Sequence, residues 1–314
     1  MITINLFYFA LSCIVLIISG IFLVKSLSRL SKFLGISEFS AAFIIMAFAS
    51  SIPELFVGIS SATSGNPALS LGNIIGANIL NLTLISGIII LSARKINLKS
   101  KKIGEDVYFM IISLLLLIIL FTIGKSLSRL DGAILLVVFS IHTYRIFKKR
   151  KKYEKKKIED KRTGTSRFSW LLIFILALVG LFITSSFVVK YASKIAIDFG
   201  FSEIIIGLFL ISFATTLPEL VFGISATNLK HKEMAIGDQI GSVVTNTGLI
   251  LGIVALIHPI TAEFQPFLIS SIFMFISGFI FYTFIKSGKK LSKHEGISLI
   301  LMYVVFIMIE FFVK

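Results

Sequence analysis

Apolar runs of about 18–25 residues recur along this chain from end to end, at roughly 5–24, 39–63, 69–92, 107–124, 131–147, 169–191, 204–228, 235–257, 267–285 and 296–313. As a helix, each is long enough to cross ~30 Å of hydrocarbon. A helix also satisfies its own backbone where no water can do so. With 56% of its 314 residues hydrophobic, the chain leaves almost nothing over for a soluble domain. The expectation is an all-α polytopic membrane protein with ten transmembrane helices. No basic residue precedes the first run, which is as long as the others, so it reads as a span rather than a cleaved leader. The one cysteine, Cys13, rules out an internal disulfide.

The formal charge of +15 would suggest a nucleic-acid partner in a soluble protein. Here the positive-inside rule accounts for it without one. If the N-terminus lies outside, the loops after spans 1, 3, 5, 7 and 9 face the cytoplasm. Of the 31 Lys and Arg residues, only Lys125, Arg129, Lys190, Lys194 and Lys314 then fall elsewhere. Both termini are expected outside, in a multi-pass protein of the plasma membrane. The long polar run around Lys148–Lys161 divides the spans five and five. The expected organisation is therefore a first half over 1–147, a basic cytoplasmic linker over 148–168 and a second half over 169–314. The linker reads as a solvated segment that sets topology, with attraction to anionic lipid headgroups as its second reading.

Residues 35–91 align without a gap on 200–256, with 20 of 57 positions identical. The matches include Gly35, Ser37 and Glu38 on Gly200, Ser202 and Glu203, and Gly72, Gly76 and Asn81 on Gly237, Gly241 and Asn246. Polar and Pro/Gly positions coincide by chance far less readily than apolar ones do. Five spans is an odd number, so the second repeat must enter the membrane in the opposite sense. Two inverted five-helix repeats suit a secondary transporter with its site near the midplane.

Inside this repeat, Ala49-Ser50-Ser51-Ile52-Pro53-Glu54 answers to Ala214-Thr215-Thr216-Leu217-Pro218-Glu219. A carboxylate at bilayer depth costs roughly 2.5–3.5 kcal/mol on insertion scales, so each acid is a functional hypothesis by default. On a continuous helix Ser50, Ser51 and Glu54 share a face, as do Thr215, Thr216 and Glu219. Pro53 and Pro218 lack the amide that would bond the carbonyls of Ala49 and Ala214. Further carbonyls become available at Ala47 and Ser212 if the helices bend. Carboxylate, hydroxyl and carbonyl oxygens are the donors that hard cations take. Spans 3 and 8 add Asn73, Asn78 and Asn81, and Asp238, Ser242 and Asn246.

Spans 2, 3, 7 and 8 contain no Lys or Arg, so a divalent cation, sodium ions or protons must neutralise Glu54 and Glu219. Two protonated glutamates acting as packing contacts would leave the recurring prolines and asparagines unexplained. Asp238, near the expected cytoplasmic end of span 8, reads either as a solvated residue or as one attracting cations at an entrance. His142, His231, His258 and His294 lie at span ends or loops without metal-ligand spacing. No nucleophile–base pair is evident, so an enzyme is not expected. A cation channel is the reading from another class, although inverted repeats in one chain suit alternating access better.

These motifs resemble those of the cation/calcium exchanger superfamily, and within it the prokaryotic sodium/calcium exchangers. That family carries Gly-Thr-Ser-x-Pro-Glu followed by Gly-Asn-x-x-Gly-Ser-x-x-x-Asn/Asp in each of two repeats. Here the second motif reads Gly72-Asn73-Ile74-Ile75-Gly76-Ala77-Asn78-Ile79-Leu80-Asn81 and Gly237-Asp238-Gln239-Ile240-Gly241-Ser242-Val243-Val244-Thr245-Asn246. The resemblance implies calcium bound by Glu54 and Glu219, by backbone oxygens at Ser50 and Thr215, and by Asn81 and Asn246. It implies flanking sodium sites from Ser50, Ser51, Thr215, Thr216 and Ser242 and the carbonyls of Ala47 and Ser212. No cofactor is implied beyond the transported ions. The protein would act as a monomer in the lipid bilayer, with spans 1 and 6 sliding to expose the site alternately. The family glycine is replaced by Ala49 and Ala214. Ala77 stands where the first repeat usually has serine, which keeps protons open as an alternative to sodium.

Overall fold

The computed structural model describes residues 2–34, 37–65, 67–98, 101–148, 167–198, 215–262, 264–288 and 290–313. The first half holds α1 (Ile2–Leu34), α2 (Glu38–Ser50), α3 (Ile52–Thr63), α4 (Pro67–Ala93), α5 (Lys101–Gly124) and α6 (Arg129–Lys148). After residues 149–166, which lie outside the described part, come α7 (Arg167–Asp198), α8 (Leu217–Asn228), α9 (Lys232–Ile257), α10 (Phe264–Gly288) and α11 (Lys293–Val313). Among the described residues, six helices are long and apolar enough to cross a membrane, or seven if the bent pair α2–α3 is one span. The chain is therefore a mostly helical, multi-pass membrane protein.

Corresponding elements stand 165 residues apart. Ile52–Thr63 answers to Leu217–Asn228, and the starts of α4 and α9 at Pro67 and Lys232 obey the same spacing. Four short strands, which apolar runs alone do not reveal, obey it too: β1 (Lys95–Asn97), β2 (Ser126–Leu127), β3 (Ile260–Thr261) and β4 (Lys290–Ser292). β1 pairs antiparallel with β4, and β2 with β3. Each pair takes one strand from each half, so a two-fold exchange of the halves maps one ladder onto the other.

Burial is graded across the bundle. The most apolar windows of α4 and α9 are 78% buried, against 28% for α1 and 17% for α7. α1 packs along α7 and turns Phe7, Ile14 and Ile17 outward, beside Leu176, Val179 and Ile183. The exterior is apolar and the centre holds the buried polar residues, the reverse of a water-soluble protein. Small residues let the central helices approach. A Cβ built on Gly237 would lie 2.6 Å from the Phe39 carbonyl oxygen, and one on Gly241 would meet the Phe43 carbonyl. Backbone of α9 thus lies directly against backbone of α2.

Side-chain ties fix the ends of these helices. Glu38 accepts a bond from Ser28 Oγ at 2.7 Å, and its other oxygen lies 2.8 Å from His231 Nδ1. This joins α1, α2 and the residue before α9. Lys232 Nζ donates to the carbonyls of Ala93 and Lys95, at 2.8 and 2.7 Å, and so closes the C-terminal end of α4. The close approach at Gly237 is directly testable. Gly237→Ala should destabilise the purified protein by about 1–3 kcal/mol through overpacking, seen as a lower melting temperature by tryptophan or dye fluorescence. An unchanged melting curve would mean that α9 and α2 are not in backbone contact there.

Candidate cation site

A helix break at Ser51 and a turn at Thr216 build the site. Ser51 (φ −84°, ψ 6°) separates α2 from α3 at a 42° bend, and Thr216 (φ −94°, ψ 1°) stands before α8 in the same conformation. The prolines one turn into each motif explain why: Pro53 and Pro218 open the new helices, where a missing amide costs nothing. Glu54 and Glu219 therefore sit in the first turns of α3 and α8. The exposed amides of a helix N-terminus place positive potential there. The Ala47 carbonyl accepts the Ser51 amide at 3.2 Å, with the Ser50 hydroxyl at a long 3.4 Å.

Glu54 and Glu219 are each 1% exposed, and none of their four carboxyl oxygens has a hydrogen-bond partner. The two acids lie close enough to repel one another. Ser50 approaches Glu219, and Thr215 approaches Glu54, near enough for charge–dipole attraction but without hydrogen-bond geometry. The hydroxyls thus serve the acid of the opposite half. The expectation that Ser50 and Glu54 share one continuous helical face fails, because the helix breaks at Ser51. Ser51 Oγ is also buried without a partner, and Thr216 is fully buried.

The asparagines come from α4 and α9, each of which widens into a π-turn at this level, at Asn81–Ile85 and Thr245–Ile250. Such turns recur at functional sites because they redirect side chains without ending the helix. Ser86 Oγ satisfies the Asn81 carbonyl at 2.6 Å. The Asn81 side chain, fully buried, has neither its amide oxygen nor its nitrogen partnered. Asn246 donates its Nδ2 to Asn78 Oδ1 at 3.2 Å, and Asn78 donates to Thr247 Oγ1 at 2.9 Å. This chain of bonds leaves Asn246 Oδ1 as the unpartnered end. Asn78 is thus a positioning residue, a role that motif spacing does not disclose because its repeat mate is Val243.

Of the remaining expected residues, Ser242 is fully buried with its hydroxyl 3.5 Å from that of Ser50. Ala47 is fully buried in α2, whereas Ser212, like Ala214, lies outside the described residues. Asp238 is corrected: it is fully buried, not solvated, because α9 runs through the centre of the bundle. Two of the histidines have carboxylate neighbours. His231 pairs with Glu38, and His142 lies 3.3 Å from Asp106, stacked on the Phe109 ring. Sequence spacing misses both because their carboxylates come from other helices.

Buried carboxylate, amide and hydroxyl oxygens without hydrogen-bond partners form an oxygen donor set. Calcium takes six to eight such donors at about 2.3–2.6 Å.

A family model described as "Sodium/calcium exchanger protein" matches residues 4–148 and 169–312. The sodium/calcium exchanger MaX1 of Methanosarcina acetivorans is 28% identical over 355 aligned positions, covering 100% of both chains. The putative antiporter CaxA of Alkalimonas amylolytica is 30% identical over 74% of each. A solved structure of the sodium-calcium exchanger NCX_Mj, soaked with zero Na+ and Ca2+, superposes with a TM-score of 0.83. It is 26% identical, covering 98% of this chain and 99% of that one.

The role of Asn78 can be measured apart from any transport assay. Asn78→Ala strands the Asn246 amide and the Thr247 hydroxyl in an apolar interior, at about 1–3 kcal/mol for each group left without a partner. The variant should melt several degrees below the parent in detergent. Equal melting temperatures would show that Asn78 does not hold Asn246.

Proposed function

Because this chain belongs to the sodium/calcium exchanger family, we propose that it is a secondary antiporter that carries calcium one way across the membrane and sodium the other. The observation that carries this reading is the facing pair Glu54 and Glu219, buried with all four carboxyl oxygens unpartnered. A charged carboxylate in so dry a place demands a cation. Two of them match one calcium ion or two or more sodium ions, so the two ions compete for the same charges. Mutually exclusive occupancy is what couples their movements.

In this reading Glu54, Glu219, Asn81, Asn246 and the backbone oxygens at Ser50 and Thr215 hold calcium. Sodium takes flanking positions built from Ser50, Ser51, Thr215, Thr216, Ser242 and the carbonyls of Ala47 and Ser212. Ten spans form two inverted repeats over 1–147 and 169–314, a reading supported by the recurrence of elements at 165-residue spacing. Both termini lie outside the plasma membrane, the basic 148–168 segment lies in the cytoplasm, and the protein works as a monomer. The lipid-facing helices α1 and α7 are the elements that slide.

Proton/calcium exchange is the second reading, favoured by Ala77. This residue is buried in α4 and has no hydroxyl where Ser242 supplies one on α9. A sodium position on the α4 side therefore has one hydroxyl donor fewer than its repeat mate on the α9 side.

Calcium-45 uptake into proteoliposomes, driven by an imposed sodium gradient, tests the reading. Uptake is expected in the parent and lost in Glu54→Gln and in Glu219→Gln, with both variants folded because a neutral residue is easier to bury. Parent-like uptake in both variants would remove the two glutamates from the site. Uptake driven by protons and indifferent to sodium would establish the second reading. Ala77→Ser should raise sodium affinity and steepen the sodium dependence, with calcium affinity nearly unchanged. An unaltered sodium dependence would place residue 77 away from any sodium site.

A further inference from the structure

A third acid sits in the same dry interior without an assigned role. Asp238 is 0% exposed, its Oδ1 has no hydrogen-bond partner, and its Oδ2 has only a long 3.4 Å contact from Gln239 Nε2. Gln239 is equally buried, and its side-chain carbonyl oxygen is also without a partner. The nearest cation along the chain, Lys232, is engaged by the carbonyls of Ala93 and Lys95. Asp238 lies one helical turn before Ser242, on the same face of α9. Ser242 in turn reaches Ser50 in the broken helix. Asp238 is also near enough to Glu219 to feel its charge.

The repeat makes the position more telling. The first half carries Asn73 and Ala77 at the equivalent places, so carboxylate and hydroxyl are present together on α9 and absent together from α4. Burial differs as well, since Asp238 is 0% exposed whereas Asn73 is only partly buried. The glutamates account for two negative charges, which one calcium ion balances. When ionised, Asp238 adds a third, for which calcium leaves nothing. One carboxylate with two neutral oxygens balances a single positive charge and is too sparse for calcium.

We propose that Asp238, the Gln239 side-chain carbonyl and the Ser242 hydroxyl form a separate sodium site on α9, reaching from Ser242 one helical turn toward Lys232. It lies beyond the flanking site expected from Ser242, Ser50 and the Ala47 carbonyl. The proposal rests on the exchanger reading for the identity of the ion. Sodium there can stay bound while calcium occupies the glutamates, so the inward half of the path holds a cation that the outward half cannot.

Sodium-22 binding to the purified protein under saturating calcium tests this. One sodium per protein should remain bound in the parent and in the Glu54→Gln/Glu219→Gln double variant, and none in Asp238→Asn. That substitution reproduces the residue at Asn73. Absence of sodium binding in the calcium-saturated parent, or parent-like binding in Asp238→Asn, would overturn the proposal. Calcium-45 binding is read separately: its persistence in the double variant would overturn the exchanger reading instead. If Asp238→Asn does not fold, the parent answers the question through dicyclohexylcarbodiimide, which modifies carboxyl groups in apolar surroundings. Modification of Asp238, read by peptide mass under saturating calcium, should fall as sodium rises. Any result independent of sodium would refute the site.

Discussion

Two buried carboxylates, on apolar runs that contain no lysine or arginine, are the constraint on which the rest of this molecule depends. Taking a charge out of water without a partner is among the most expensive acts in protein structure. Glu54 and Glu219 are not relieved by hydrogen bonds, since none of their oxygens has a donor. A fold that keeps such groups must supply enough packing elsewhere to hold them. It must also leave their oxygens available to something mobile. Cation transport follows from that combination more directly than from any one residue.

The architecture meets the constraint by doing everything twice. Each half turns at a hydroxyl residue, follows it with a helix opened by proline and acid, and adds a helix widened by a π-turn. The breaks free backbone groups at a depth where only a polar interior can tolerate them. The strand pairs β1–β4 and β2–β3 then tie each half to the other. The apolar helices α1 and α7 pack along one another at the periphery. Backbone contact of α9 with α2 leaves no slack at the site itself.

The two halves are not identical in their polar residues. Asn78 bonds Asn246 and Thr247 and has no equivalent in the second half, so Asn246 is oriented while Asn81 is left free. Ser242 and Asp238 face Ala77 and Asn73 across the same pseudo-symmetry. Alternating access requires a near-symmetric frame, whereas directional coupling of two different ions is served by unequal donors on its two sides.

Much of this was legible in the linear chain, because the strongest physical terms are local. The apolar character of the long helices, the helix-opening role of Pro53 and Pro218 and the recurrence of the acids all depend on neighbouring residues. Other features depended on which helix lies beside which. Sequence spacing put Ser50 beside Glu54, and the break at Ser51 sends it toward Glu219 instead. Asp238 looked like a span-end residue until the central path of α9 buried it. The short strands and the His231–Glu38 and His142–Asp106 pairs join segments far apart in the chain, so no periodicity could announce them. The sequence determined that two acids must enter the membrane and that they are repeat mates. Only the tertiary structure decided which hydroxyls and amides meet them, because that contact is set by packing between helices and not by position along one.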